Sequence, residues 1–401
     1  MSLSESSSNI TSSGSSRRVA AVVSVHPKAT ARLFYIDNIR VFLTILVLLF
    51  HVMIIYAGTG SWLYTEGRQD EITSLIGAWF IAVTQAYFMG LFLFISAYFV
   101  PGSYDRKGAG RFLKDRMIRL GIPLVIYSWI IDPLLGYILK VWLQGSRMLT
   151  WNDFFGHFRD GSLIGSGPLW FVETLLIFSL VYTLWRSITR DRPVNSTGES
   201  KFPRSVSIAL LALVLGVAGF LIRLWLPIGY NFKPLNLQFP FFAQYIALFI
   251  LGLIAYRRSW LSGLPDKQGR AWFVIAIVLI IFFPLLAIAG GSPEPFAGGW
   301  HWQAFAYSLW ESFLCLGMCI GLIYIFRRYT NRQGVLARYL SPNAYTAYLI
   351  HGPVITILAL AARDVALHPL LKWGLLSLTA IPLCFALSNL IRKLPYTDRV
   401  L

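Results

Sequence analysis

The sequence predicts an all-α integral membrane protein of about ten transmembrane helices, with both termini cytoplasmic and no sizeable soluble domain. Three observations carry this expectation. Of 401 residues, 56% are hydrophobic and only 13% are charged, about half the charge of a soluble chain. Apolar runs long enough to cross a bilayer recur along the chain. The basic residues fall in short clusters between those runs, and the clusters alternate in strength.

Residues 1–32 are low in complexity and rich in serine (MSLSESSSNITSSGSSRR and a mixed stretch to Arg32). No apolar core of signal-peptide length precedes Arg32, so a disordered cytoplasmic tail is expected here rather than a cleaved signal. Residues 33–395 then read as one transmembrane domain. Its spans are expected at 34–57, 75–99, 118–142, 168–186, 206–226, 239–256, 271–290, 303–326, 343–362 and 371–391. The third contains Asp132-Pro133, where a kink or break is expected. The longest outer loop, 143–167, is aromatic and rich in glycine, and its Trp151 and Phe154 suit a membrane interface. Residues 396–401 form a short cytoplasmic C-terminus.

Counting Lys and Arg tests the ten-span order. One side receives 26, the other 8, and Arg40 lies inside the first span. Nine or eleven spans would scramble that alternation, and the positive-inside rule makes the richer side cytoplasmic. The formal net charge of +17 therefore reads as membrane topology, and nucleic acid is excluded as a partner because no basic soluble face exists to bind it. Cys315, Cys319 and Cys384 sit in apolar segments without metal-ligand or disulfide spacing, so they read as packing residues and no metal is expected.

Ionisable residues inside spans are the informative ones, since each costs about 2.5–3.5 kcal/mol at mid-helix. The first span carries Asp37, Arg40 and His51. Eleven residues at 100° each return almost to full turns, so Arg40 and His51 share a helix face about 16 Å apart. Asp37 and Arg40 are spaced i,i+3 and suit an ion pair; for these two, snorkelling to the interface is an equal reading. His51 lies ten apolar residues deep, and a functional role is favoured. In GAGRFLKDRMIRLGIPL, Arg116 and Arg119 stand one turn apart, either as a topology-setting basic loop or as a grip for phosphates. Glu173 begins the fourth span, where it could hold a sugar hydroxyl or favour the helix N-terminus. Gln244 and Glu311 are further buried polar candidates. His351 sits at a depth comparable to His51, with packing and chemistry both open. His301, beside aromatics in GGWHWQAF, is a candidate sugar-stacking lip.

Together these segments resemble the acyltransferase 3 family of membrane O-acyltransferases. YIDNIRVFLTILVLLFH is similar to its opening aspartate and Arg-x10-His signature, LFLFISAYFV to its aromatic–Ser–Gly element, and RMIRLGIPL to its Arg-x-x-Arg element. GPLWFVETLLIF and AYTAYLIHGPV resemble its Leu-Trp-Phe span and its Tyr-x-x-Tyr-Leu-x-His ending. Ala97 stands where the family usually has glycine, a small-for-small change. No appended esterase-like domain follows, so transfer is expected to be completed by the membrane domain or by a partner.

The resemblance implies acyl-CoA as the donor substrate at the cytoplasmic face of the inner membrane. The acyl group, of acetyl or succinyl type, would pass to a glycan or another hydroxyl-bearing acceptor. By the same analogy His51 is the base, Asp37 and Arg40 are orienting or donor-binding groups, and Arg116 and Arg119 are CoA-phosphate ligands. Glu173, His351 and His301 are then substrate-binding candidates, and the surrounding partner is membrane lipid. The competing reading is a proton-coupled secondary transporter using His51 at the midplane, although the inverted repeats common in such carriers are not evident in the sequence.

Overall fold

The computed structural model describes residues 33–67, 70–144, 165–189, 201–395, 397 and 400–401. The expected tail (1–32) and most of the expected outer loop, with Trp151 and Phe154, lie outside the described residues. Ten helical stretches are long and apolar enough to cross a membrane. They are α1 (Phe34–Ala57), α2 (Glu71–Tyr98), α3 (Val100–Leu143), α4 (Trp170–Ile188) and α5 (Ser205–Arg223). After them come α6 (Phe242–Arg257), α7 (Asp266–Gly290), α8 (Trp302–Tyr329), α9 (Val335–Ala361) and α10 (Pro369–Ile391). Among the described residues there is no strand, only an isolated antiparallel bridge between Phe232 and Leu237.

Burial sorts the helices as their composition requires. The most apolar windows of α1 and α8 are each 72% buried, whereas that of α7 is 6% buried with a mean hydropathy of 3.0. A helix washed by lipid must be apolar all round, and α7 has no ionisable residue after Arg270. The central helices carry the polar groups, because only there can other helices supply partners. α1 packs against α2, α8, α9 and α10, which makes it the axis of one half of the bundle. In the other half α8 packs on α5 and α7. A Cβ on Gly317 or Gly321 of α8 would fall within 3.0 Å of Ala276 or 2.6 Å of Phe273 on α7. Small residues four apart thus let these two helices approach closely.

The third span departs from its expected form. It runs from Val100 to Leu143, kinked at Gly108 (φ 71°, ψ 167°), with no break at Asp132-Pro133. Two π-helical turns, Met117–Gly121 and Tyr127–Ile131, interrupt it instead, each ending two residues before a proline (Pro123, Pro133). Proline has no N–H for the carbonyl four residues back and its ring crowds that carbonyl, so a locally wider turn absorbs the conflict without ending the helix.

Two of the cations counted on the cation-poor side are not loop residues. Arg223 ends α5 and is 1% exposed. Its guanidinium donates to Glu311 at 2.6 Å and to the Ser308 hydroxyl at 3.1 Å, between the rings of Phe241 and Tyr307. Lys372 lies in the first turn of α10, 2.7 Å from Glu66. Gln244 is likewise structural, donating to the Ala86 carbonyl at 2.6 Å. All three cysteines are buried and free, as their apolar surroundings predicted.

The ten-span order has a direct test. Lys201 precedes α5 and Ser292 follows α7, and both are exposed, whereas the native cysteines are buried. Single cysteines at these two positions are expected to react with an impermeant maleimide from opposite faces, Lys201→Cys from the cytoplasm. Labelling of both from one face would contradict the topology.

Candidate active site

The site is built on α1 and α9, two helices nearly 300 residues apart in sequence. His351 is fully buried, and its Nε2 lies 3.0 Å from Nδ1 of His51. The rings stack with centroids 4.9 Å apart and planes 28° from parallel. On its other side, His351 Nδ1 faces the Tyr348 carbonyl one turn back on α9. A carbonyl only accepts, so Nδ1 of His351 carries the proton and its Nε2 is an acceptor. With both rings neutral, His51 must then donate from Nδ1. That leaves the lone pair of His51 on Nε2, the atom required of a base.

The neighbouring polar groups of α9 serve the same placement. Tyr345, Tyr348 and His351 recur every three residues. The Tyr345 hydroxyl donates to the Arg119 carbonyl at 2.5 Å, within the first π-helical turn of α3. The Tyr348 hydroxyl donates to the Pro168 carbonyl at 2.6 Å, just before α4. The Tyr-x-x-Tyr-Leu-x-His segment therefore clamps α3, the entry to α4 and α1 to one helix.

A strap closes the side away from the cation-rich end of α1. After α1 the chain turns back, with Glu66 N–H donating to the Ile55 carbonyl at 2.9 Å. Trp62 is thereby laid over His51, ring centroids 4.3 Å apart and planes at 31°, and its indole N–H donates to Thr356 at 3.2 Å. The buried Glu66–Lys372 pair ties this loop to α10, and Asp70 approaches His368 to 3.5 Å. Asp70 also caps α2 by accepting from Thr73, bonds that hold its carboxyl below the usual carboxylate range.

At the opposite, cation-rich end lies a second cluster. Asp37 and Arg40 form the expected i,i+3 pair at 3.7 Å, and the Arg40 guanidinium sits 4.9 Å over the Phe99 ring. Arg40 and Arg119 both stand close enough to Arg116 to repel it, so three cations from α1 and α3 converge. Neighbouring Asn38 has a structural task, donating to the Thr330 and Arg332 carbonyls at 2.6 and 3.1 Å. From this cluster to the histidine pair the rise is about 16 Å along α1, from Arg40 to His51, and about 9 Å along α9, from Tyr345 to His351.

Glu173 and His301 belong to other elements. Glu173 is buried in the first turn of α4, where neither carboxylate oxygen has a hydrogen bond among the described residues, although the Ser166 hydroxyl stands nearby. His301 is exposed at the N-terminus of α8, beside Trp300 and Trp302. Sequence reading missed Trp62 and the Glu66–Lys372 tie. Neither carries a local signal, since a loop tryptophan and a lysine near a helix start become informative only once the loop folds back. No group of three His, Cys, Asp or Glu side chains suited to a metal occurs among the described residues.

Residues 33–389 match the family model described as an acyltransferase domain. The chain is 23% identical over 337 residues to glucans biosynthesis protein C of Escherichia coli K12, covering 82% of this chain and 84% of that protein. The protein of the same name from Shigella dysenteriae serotype 1 gives the same identity and coverage. No solved structure matches significantly.

The strap yields a stability prediction. Lys372→Met removes the lysine charge held 2.7 Å from the buried Glu66 carboxylate, and unfolding free energy is expected to fall, by up to about 3–5 kcal/mol. Adding Glu66→Gln should restore most of the loss. A thermal or denaturant melt of the two variants in detergent checks this, and equal stability of the single and double variants would contradict it.

Proposed function

The chain belongs to the acyltransferase 3 family of membrane acyltransferases, and from that premise we propose that it moves an acetyl- or succinyl-type group from acyl-CoA to a hydroxyl acceptor. The donor is used at the cytoplasmic face of the inner membrane, and the acceptor is a glycan or similar envelope molecule reached from the outer side. The glucan-related name of the curated relatives supports a carbohydrate acceptor. The observation that carries the reading is the His51–His351 hydrogen bond, which leaves an unprotonated imidazole nitrogen at mid-membrane depth.

Acyl transfer from a thioester to a hydroxyl is balanced by one proton. His51 Nε2 takes the proton of the acceptor hydroxyl as its oxygen bonds to the thioester carbonyl carbon. The tetrahedral adduct collapses with cleavage of the C–S bond, and His51 returns the proton to the departing CoA sulfur. While His51 holds the proton it is a cation. Two groups stabilise that state: His351 Nε2 accepts from His51 Nδ1–H, and the Trp62 ring presents its π-face within cation–π range.

Arg40, Arg116 and Arg119 supply positive charge for the CoA phosphates, and Asp37 orients Arg40. His351 acts through His51 as a positioning residue, a narrower role than the substrate contact expected from the sequence. Glu173, buried with unsatisfied oxygens, and His301, exposed among tryptophans, remain the acceptor-side candidates.

Two measurements test this function. Purified protein given labelled acyl-CoA and an acceptor glycan should release CoA and label the glycan. His51→Ala should reduce that turnover by about 10²–10⁴-fold while remaining folded, because alanine is tolerated in a spanning helix. Near wild-type turnover would remove His51 from the chemistry, and failure of the wild-type protein to transfer would favour a carrier. Arg116→Ala should weaken acyl-CoA binding by about 1.5–3 kcal/mol for each lost charged hydrogen bond, with Arg116→Lys recovering only part. Unchanged donor affinity would return this arginine to a topology role.

A further inference from the structure

Away from the histidine pair, on the cation-rich side of the bundle, a cavity of about 380 Å³ opens between α5 and α6. Phe94 of α2, Leu248 of α6, and Leu316 and Cys319 of α8 form its inner wall, and Ile208 and Leu211 of α5 form its flank. Its volume falls in the range of ligand clefts, yet its lining is almost wholly apolar. Water gains nothing in such a space. A void there also forfeits dispersion contacts in proportion to its size, so an apolar occupant is favoured.

The rim identifies the occupant. The cavity's outer lining comes from two surface segments, Phe202-Pro203 before α5 and Trp260 to Leu264 between α6 and α7, joined by a 2.8 Å hydrogen bond from Gln268 to the Pro203 carbonyl. Cations bracket both segments: Lys201 and Arg204 flank the first, and Arg258 and Lys267 flank the second, with Arg270 one turn further on. All five are exposed, and none forms an ion pair among the described residues. The acidic residue at this rim, Asp266, is already held by Arg327 at 2.8 Å and Arg328 at 2.7 Å. An apolar slot beneath uncompensated positive charge matches a lipid tail beneath a negative headgroup.

We propose that this cavity is a binding site for one acyl chain of an anionic phospholipid from the surrounding leaflet, with its headgroup phosphate under Arg204, Arg258 and Lys267. The site is separate from the proposed donor arginines on α1 and α3, and it does not depend on the acyl-transfer reading. Its consequence is that a lipid chain completes the packing between α5 and α6, which otherwise touch little.

The test uses the full-length protein, exchanged into mild detergent and titrated with dioleoyl phosphatidylglycerol or dioleoyl phosphatidylcholine under native mass spectrometry. About one phosphatidylglycerol per chain is expected to persist, bound more tightly than phosphatidylcholine. Arg204→Gln and Arg258→Gln should each reduce that preference about fivefold. Leu211→Trp, which places an indole at the cavity's flank, should abolish retention. Absence of a retained lipid, equal affinity for the two headgroups, or retention unaffected by a folded Leu211→Trp would each overturn the proposal. If Leu211→Trp does not fold, the wild-type protein decides. Phosphatidylglycerol with brominated chains should quench the fluorescence that Trp260→Phe removes, at a lower mole fraction than brominated phosphatidylcholine, and equal quenching by the two would refute the site.

Discussion

The hydrogen bond from His51 to His351 fixes which imidazole nitrogen is free, and the rest of the molecule is arranged around that choice. A lone histidine in a helix samples both tautomers and several rotamers. Here the Tyr348 carbonyl decides the proton on His351, His351 decides the proton on His51, and Trp62 covers one face of the His51 ring. Each supporting group is held in turn: Tyr348 by the Pro168 carbonyl, Trp62 by Thr356, and the loop bearing Trp62 by Glu66 and Lys372. The chain of supports runs from the loop to His51 through hydrogen bonds, an ion pair and the Trp62 ring contact.

The bilayer explains why such supports are built from pairs. A charge stranded in hydrocarbon costs several kcal/mol, so two buried pairs here bring opposite charges together from distant segments. Arg223 of α5 meets Glu311 of α8, and Lys372 of α10 meets Glu66 of the strap. These contacts give little net stability relative to an apolar core, but they penalise any misregistered packing that would leave one partner alone. The basic cluster of Arg40, Arg116 and Arg119 is different, because its cations repel one another, Asp37 lies 3.7 Å from Arg40, and Asp115, the carboxylate near Arg116 and Arg119, is already held by Lys107. Converging like charges favour an anion among them.

The ten spans were legible in the sequence because hydropathy reports directly on which residues face lipid. Their ends were less so. α9 begins at Val335 rather than near 343, and α7 at Asp266 rather than 271, because charged first turns continue a helix into the headgroup region where hydropathy falls. The continuity of the third span through Asp132-Pro133 escaped reading for a related reason, since proline signals strain but not whether a π-helical turn will absorb it. At the site, the depth of His51 and the i,i+3 spacing of Asp37 and Arg40 were local facts and readable. The role of His351 stayed open because its partner lies 300 residues away. Arg223 and Lys372 read as loop cations because composition cannot show that a helix end is buried against an acid.

The central claim is that His51 and His351 act as one unit, and a double-mutant cycle on turnover tests it most directly. Acyl transfer would be measured for folded, monodisperse wild-type protein, His51→Ala, His351→Ala and the double variant. If His351 works only by fixing His51, removing it from a protein that already lacks His51 should cost almost nothing further, so the two losses are strongly non-additive. Losses that simply multiply in the double variant would show two independent contributions and contradict the account.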